Sequence, residues 1–300
     1  MNETLDNRSL VFLTPTFARD YERFCLQRES MHRCAIDIPH IAVVNHEDMP
    51  LFSTTPHRDN LRLVSTADVL PPRLEKRRRA WGQQRRRNPR LWFTGRGIHG
   101  WGIQQLLKLA AAQLTDAKSI VCLDSDTFFI DRVTPDDFFA PDGKLHLYET
   151  TDDLDVQMAE WYARALRFLG LPTMGQPLRR FTHSPVPWRR DVLVDLQRFI
   201  ESKHSKPWMD AVLGAERIME YTLYGAFARH VDQLKRVTPH VPALALYYWW
   251  PEEGRSLEAD FAARLGASRA KMVLVNSNTQ QPVSAFRPFV ERAWQDAIHA

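Results

Sequence analysis

The twelve residues SIVCLDSDTFFI, Ser119 to Ile130, constrain the fold of this chain more than any others. Ile120, Val121, Cys122 and Leu123 are a continuous apolar run, and a short run of this kind reads as a strand buried on both faces. Such a strand needs helices on either side of its sheet, which points to an α/β fold. Two carboxylates then appear two positions apart, Asp124 and Asp126, with Phe128, Phe129 and Ile130 beyond them. On an extended chain i and i+2 face the same side. The spacing therefore predicts Asp124 and Asp126 side by side at the carboxyl end of the strand, with Ser125 turned away. Open α/β sheets bind ligands at that end.

The rest of the chain repeats the alternation. Residues 9–16, SLVFLTPT, read as a first strand ending in a proline turn, with a helix expected from Ala18 to His32. Strands are expected at Pro39 to Asn45 and Leu61 to Thr66, then a helix from His99 to Leu114 and a fourth strand at 119–126. A fifth strand is expected at Lys144 to Thr150. After Asp152 the pattern turns helical, over 153–170, 190–204 and 215–231, with a late strand in KMVLVNSNT. Gly170 and Pro172 are a helix stop. The expected architecture is a mixed, mostly parallel sheet flanked by helices. It is read as one domain over residues 1–300, with a sheet-rich half at 9–150 and a helix-rich half at 151–300.

Composition narrows the class. Three hundred residues, 44% hydrophobic and 25% charged, suit a globular protein. No basic flank followed by an apolar helix opens the chain, and no apolar segment reaches the roughly 18–20 residues of a membrane span. Three cysteines without metal-type spacing fit a reducing interior. The expected location is the cytoplasm. The net charge of +4 is concentrated in RLEKRRRAWGQQRRRNPR, Arg73 to Arg90, which would attract phosphate groups of any kind. A solvated insertion explains it equally well. A nucleic-acid-binding role is the non-enzymatic alternative, but Trp81 is the one aromatic in the block. Anionic membrane lipid at the inner face, or a phosphorylated lipid-linked acceptor, suits it better.

Two carboxylates held together repel, and a cation between them relieves the repulsion. Hard oxygen donors suit Mg²⁺ or Mn²⁺, which keep waters and substrate phosphates in their shells. The plain alternative is a pair of solvated carboxylates in a turn. Phosphatases of the haloacid dehalogenase type carry Asp-x-Asp-x-Thr, but here Thr127 comes one place early. A nucleotidyltransferase would also clamp a diphosphate this way, yet FLTPTFARD lacks the glycine-rich loop expected after its first strand.

The segments FLTPTFARDYERFCLQRES, HGWGIQQLLKLAAAQL, IVCLDSDTFFI and MEYTLYGAF together resemble an uncharacterised bacterial family of GT-A-like glycosyltransferases associated with surface polysaccharide genes. The resemblance spans residues 9–285, and the arginine-rich block is an addition to it. It implies a Rossmann-type GT-A sheet and metal-dependent transfer of a sugar from a nucleotide-sugar donor to a polysaccharide, lipopolysaccharide or lipid-linked acceptor. A UDP-sugar is favoured because UDP is the commonest nucleotide for this architecture. Carried onto this sequence, Asp124 and Asp126 would hold the metal. Thr14, Pro15, Thr16, Asp20 and Ser125 would lie at the nucleotide, with Lys108 and Gln105 at the diphosphate. Glu220, in Glu-Tyr-x-x-Tyr-Gly, would be an acceptor-side base, giving a slight preference for inverting chemistry. Glu216 is offered by the same segment. His183, Tyr221 and Tyr224 would contact the acceptor. Asn276, Asn278 and His240 are further polar residues of the C-terminal part, where such enzymes often find a third metal ligand. Tyr247 to Trp250 could stack on a sugar face.

Overall fold

The structure is a computed structural model that describes residues 8–87, 100–151, 155–175, 177–215 and 217–299. Its main elements run β1 Leu10–Thr16, α1 Tyr21–Cys34, β2 His40–Val44, β3 Leu61–Ser65, α2 Pro72–Arg87, α3 Gly100–Leu109, β4 Ser119–Cys122, β5 Thr127–Phe129 and β6 Leu145–Tyr148. There follow α4 Val156–Leu169, β7 Val186–Arg189, α5 Arg190–His204, α6 Trp208–Gly214, α7 Glu220–His230, β8 Val237–His240, β9 Ala245–Tyr248, α8 Pro251–Gly266, β10 Met272–Val275 and α9 Val283–His299.

The central sheet has the order β3-β2-β1-β4-β7. All its pairings are parallel except β4 with β7. Every residue of β1, β2 and β4 is buried, as strands covered on both faces must be. One core joins α3, α4, α5 and α7 to one face of the sheet, around Leu13, Ile120, Leu106, Leu166, Leu193 and Tyr224. A second lies on the other face, where Phe12 and Val121 meet Leu26, Phe129, Met272 and Phe286. The expected α/β class, with a mostly parallel sheet flanked by helices, is the one observed.

Three expectations change. The apolar run does not continue as one strand through the aspartates. β4 ends at Cys122, and β5 belongs to a separate sheet of order β5-β10-β9, antiparallel to β10. Asp124 to Asp126 form the turn between them, closed by the Thr127 N–H on the Asp124 carbonyl at 3.1 Å. Same-side geometry from i, i+2 therefore does not apply. The run over Lys144 to Thr150 is a strand, β6, but it pairs with β8 outside the main sheet. The arginine block is structured in its first part: α2 buries Leu74 and Trp81, and Arg78 sits between Glu75 and Glu47 at 2.6–2.9 Å. Lys76 and Arg77 are exposed, and Arg90 and His99 lie outside the described residues.

Gly225 on α7 explains part of the Tyr-Gly motif. A Cβ there would stand 2.2 Å from Cδ1 of Phe181, so the ring needs a glycine beneath it. Among the described residues no helix is long and apolar enough to cross a membrane.

Burial shapes the acid response. His40 is enclosed between Arg28 and Thr14, with contacts of 3.1 and 2.9 Å, and burial followed by the Arg28 charge drives its pKa well below the ordinary value of 6.5. Burial lowers His183 to about 4. The unfolded chain therefore takes up protons below pH ~6.5 that the folded chain refuses. Stability should be unaffected by these groups above that pH and fall between about 6.5 and 4. Melting curves at pH 7 and 5 check this: the drop in Tm should shrink in His40→Gln, and an unchanged drop would exclude His40 as a contributor.

Candidate active site

A cavity of about 740 Å³ opens where the ends of β1 and β4 face α3, α4, α7 and the segment after β10. Asp124, Ser125 and Asp126 line it together with Pro15, Asp20, Gln105, Lys108, Glu220, Tyr221 and His183. The position is the carboxyl end of parallel strands, where their order steps from β1 out to β2 on one side and β4 on the other.

Several groups hold the Asp124–Asp126 turn. Gln27, buried on α1, donates from Nε2 to the carbonyls of Asp124 at 2.7 Å and Thr127 at 3.1 Å. The Val275 N–H donates to the Asp126 carbonyl at 3.0 Å, so the end of β10 is fastened to the turn. Asn276, the next residue, donates from Nδ2 to Asp126 Oδ2 at 3.2 Å. Arg23 binds the carbonyls of Val275 at 2.5 Å and Gln281 at 2.7 Å, and its charge acts on both Asp126 and Asp20.

Lys108 is not a surface lysine. It is 4% exposed. Its Nζ donates to Asp124 Oδ1 at 2.8 Å and to the Tyr221 hydroxyl at 2.6 Å, and lies 3.1 Å from Glu220 Oε1. Burial opposes its charge, but its neighbours, Asp124 foremost, outweigh burial and hold its pKa well above the ordinary lysine range. Glu220, 2% exposed, has its pKa raised by burial against the pull of Lys108. Lys108 and Glu220 both line the cavity, and Lys108 joins Glu220 to Asp124.

Asp126 is the carboxylate most in need of a cation. Burial, then the charge of Asp124, pushes its pKa up to about 7, and its Oδ1 is buried without a hydrogen-bond partner. Burial also raises Asp20, with Asp124 adding to the effect. A divalent cation between Asp124 and Asp126 would offset these costs. Mg²⁺ and Mn²⁺ are typically held by one or two carboxylates plus waters and phosphates, so the pair fits them. No cluster of three or more His, Cys, Asp or Glu with metal-site geometry occurs among the described residues. His240 stacks edge-on against His146 and does not line the cavity, whereas Asn276 does.

Other expected residues fall elsewhere. Thr14 is fully buried and bonded to His40 and Gln27, and Thr16 is 4% exposed; neither lines the cavity. Tyr224 is in the core, stacked on Trp188 with its hydroxyl accepting the Arg189 N–H at 2.8 Å, so it is not at an acceptor site. Glu216 lies outside the described residues. His183 meets the Thr150 hydroxyl at 3.1 Å. The rings of Tyr247, Trp249 and Trp250 line the mouth, and Tyr248 is buried instead.

Sequence reasoning missed Gln27, Arg23, Arg180, Trp101, Trp161 and Ser184. Gln27 left one faint signal, a polar residue on the inward face of an amphipathic helix, beside buried Phe24, Leu26 and Met31. Arg180 lines the cavity and bonds through Nε to Thr182, with no carboxylate partner among the described residues. Trp101 and Trp161 stack with centroids 6.4 Å apart.

Solved structures are similar to this chain in fold at low identity. Mouse xyloside xylosyltransferase 1 in its apo form is 12% identical, aligns over 91% of this chain and 99% of that one, and gives a TM-score of 0.51. The bifunctional glycosyltransferase WbbM in its apo form is 14% identical over 89% of this chain, with a TM-score of 0.48, and this chain spans only 45% of it. The galactosyltransferase LgtC, in complex with donor and acceptor sugar analogs, is 10% identical over 94% of this chain and 95% of its own, at 0.47. No curated protein sequence matches. The likeness to the xylosyltransferase establishes the fold, a mixed α/β sheet of the GT-A kind. A family model matches residues 10–287, nearly the whole of the chain, and the protein belongs to that family, a family of unknown function designated DUF6492.

Proposed function

We propose that this chain is a metal-dependent glycosyltransferase that moves a sugar from a nucleotide-sugar donor, a UDP-sugar in the first instance, to a saccharide or lipid-linked acceptor. The observation that carries the reading is the Asp124–Asp126 turn in the wall of a 740 Å³ cavity, with Asp126 buried beside a second carboxylate. That volume is in the range of small-molecule and cofactor sites.

Asp124 and Asp126 would hold Mn²⁺ or Mg²⁺, with Asn276 close by. When bound, such an ion stabilises negative charge gathering on the departing diphosphate. The protein's own groups do the rest. Lys108 fixes Asp124 Oδ1, and Gln27 fixes the backbone of the turn, so the carboxylate is oriented before any ligand arrives. Pro15, near the end of β1, and Asp20, just before α1, offer the wall nearest the nucleoside, and Ser125 lies between the two metal ligands in the chain. On the opposite side His183 is a neutral imidazole near pH 7, able to hydrogen-bond a hydroxyl without adding charge. Tyr247, Trp249, Trp250 and the Trp101–Trp161 pair present ring faces on which a saccharide acceptor can stack. The exposed Lys76 and Arg77 of α2 are the groups through which that helix would approach an anionic lipid surface or a phosphorylated acceptor.

Titration calorimetry with UDP, GDP and CMP, each with and without Mn²⁺, tests the reading. One nucleotide should bind in the presence of metal and lose most of its affinity without it. Absence of metal-dependent binding for all three would end the glycosyltransferase reading.

A further inference from the structure

Exposed apolar side chains are not scattered evenly over this molecule. Among the described residues nine large ones are exposed, and five of them stand at the mouth of the cavity. Trp101, Trp249 and Trp250 line it. Val156, 79% exposed, lies in the chain between the lining residues Asp155 and Gln157, and Val241, 69% exposed, directly precedes the lining Pro242. A single exposed apolar residue needs no explanation, but a group gathered around one opening marks a surface that meets a partner. Rings can stack on a saccharide, and the two valines cannot. Tryptophan favours the boundary between lipid and water, and an aliphatic side chain beside it is at home just beneath that boundary.

Positive charge is carried on the same edge of the sheet. The short turn after β2, His46–Asp48, joins the two regions. Asp48 Oδ2 accepts the N–H of Ala18 at 2.9 Å, two residues before Asp20 in the cavity wall. Glu47 accepts both terminal nitrogens of Arg78, in the middle of α2, at 2.9 and 2.6 Å. Helix α2 is therefore held at the carboxyl ends of the parallel strands, the edge on which the cavity opens. Leu74, Glu75, Arg78 and Trp81 form its buried side. Lys76 and Arg77 are exposed on the other and have no carboxylate partner among the described residues, whereas Arg73 pairs with Asp210. Arg85, Arg86 and Arg87 end the helix.

The mouth itself is not basic. Asp155 and Glu253 stand there with Arg180, and deeper in the wall Asp20, Asp124, Asp126 and Glu220 outnumber Lys108. The two outer carboxylates are occupied as helix caps. Asp155 accepts the Met158 N–H at 2.7 Å, and Glu253 accepts those of Trp249 and Trp250 at 2.5 and 2.9 Å. The two tasks of a lipid-binding face are thus divided: α2 supplies attraction to an anionic surface, and the mouth supplies apolar groups to enter it. We propose that this edge docks on an anionic lipid bilayer, with Trp101, Val156, Val241, Trp249 and Trp250 in the interface and Lys76 and Arg77 at the headgroups. The cavity then opens onto the membrane surface, where a lipid-linked acceptor would reach it without leaving the bilayer. The docking stands apart from the glycosyltransferase reading, and only this last consequence rests on it.

Flotation with vesicles at low salt tests the docking. Phosphatidylcholine vesicles are compared with vesicles containing about one third phosphatidylglycerol, an anionic lipid without a sugar. Wild type should bind the anionic vesicles at least about tenfold more tightly than the neutral ones. Trp249→Ser with Trp250→Ser should weaken that binding about tenfold or more. Val156→Glu with Val241→Glu, at sites too exposed to disturb the fold, should weaken it by a similar factor, which decides the matter if the tryptophan variant does not fold. Lys76→Glu with Arg77→Glu should remove the preference for anionic vesicles. Wild type that stays off anionic vesicles overturns the proposal, and size-exclusion chromatography of the same sample shows whether the collar serves a second copy of the chain instead. Undiminished binding in either folded collar variant also overturns it, and a preference that survives the charge reversal overturns the part given to α2. Neither nucleotide nor metal is present, so these outcomes are independent of the calorimetric test of the glycosyltransferase reading.

Discussion

Asp124→Asn with Asp126→Asn should abolish metal-dependent nucleotide binding and lower any transferase turnover by a factor on the order of 10²–10³ or more, the scale seen when a single group stabilising transition-state charge is removed. The size follows from what the pair does. Two carboxylates in a buried turn are the hard anionic donors that draw a divalent cation into this wall, and an amide is a poor substitute for a charged oxygen. The fold should survive, because the Gln27 amide and the Val275 N–H hold the turn through its backbone carbonyls, which the substitutions leave in place. Asp126→Asn alone should even be neutral or mildly stabilising without metal, since burial and Asp124 already push its carboxyl up to about 7. Calorimetry with Mn²⁺ and circular dichroism on the same samples separate loss of site from loss of fold. Retention of Mn²⁺-dependent nucleotide binding in the double variant would refute the metal assignment.

The second large effect is on stability. Lys108→Met should destabilise the chain by about 3–5 kcal/mol, because it leaves Glu220 buried and uncompensated. Lys108 and Glu220 have side chains only 5% and 2% exposed, so water cannot take over the pairing. Adding Glu220→Gln to Lys108→Met should recover part of the loss, a coupling that a double-mutant cycle in urea would measure. A simple additive cycle would show that the ammonium and Glu220 do not depend on one another. The same cycle bears on function, since Lys108 also anchors Asp124 and its loss should weaken nucleotide binding even in a folded variant.

Much of the fold was legible because burial on two faces leaves a local mark. β1, β2 and β4 are short apolar runs, and α4, α5 and α7 carry apolar residues at helical spacing, so their types and approximate limits could be read directly. Pairing was less accessible. Nothing in LHLY says that β6 joins β8 instead of the main sheet, and nothing in TFF says that β5 leaves for β10. Those choices depend on which distant strand offers a matching edge.

The site divides along the same line. Asp124 and Asp126 stand out because two charges interrupt an apolar run, a contradiction visible in twelve residues. That they would follow a buried parallel strand and lie at its carboxyl end, where the cavity opens, was also expected from local pattern. The tertiary structure alone decided that they sit in a turn, that Lys108 is a buried partner of Asp124 and Glu220, and that Thr14, Thr16 and Tyr224 belong to the core. A lysine on an amphipathic helix reads as solvated until the helix against it is known. Here that helix is α7, whose Tyr221 hydroxyl meets Lys108 across 113 residues of sequence. Sequence records what each segment must bury; whether a charge is buried with a partner depends on a second segment brought to it by packing, and the pairing leaves no mark in either segment alone.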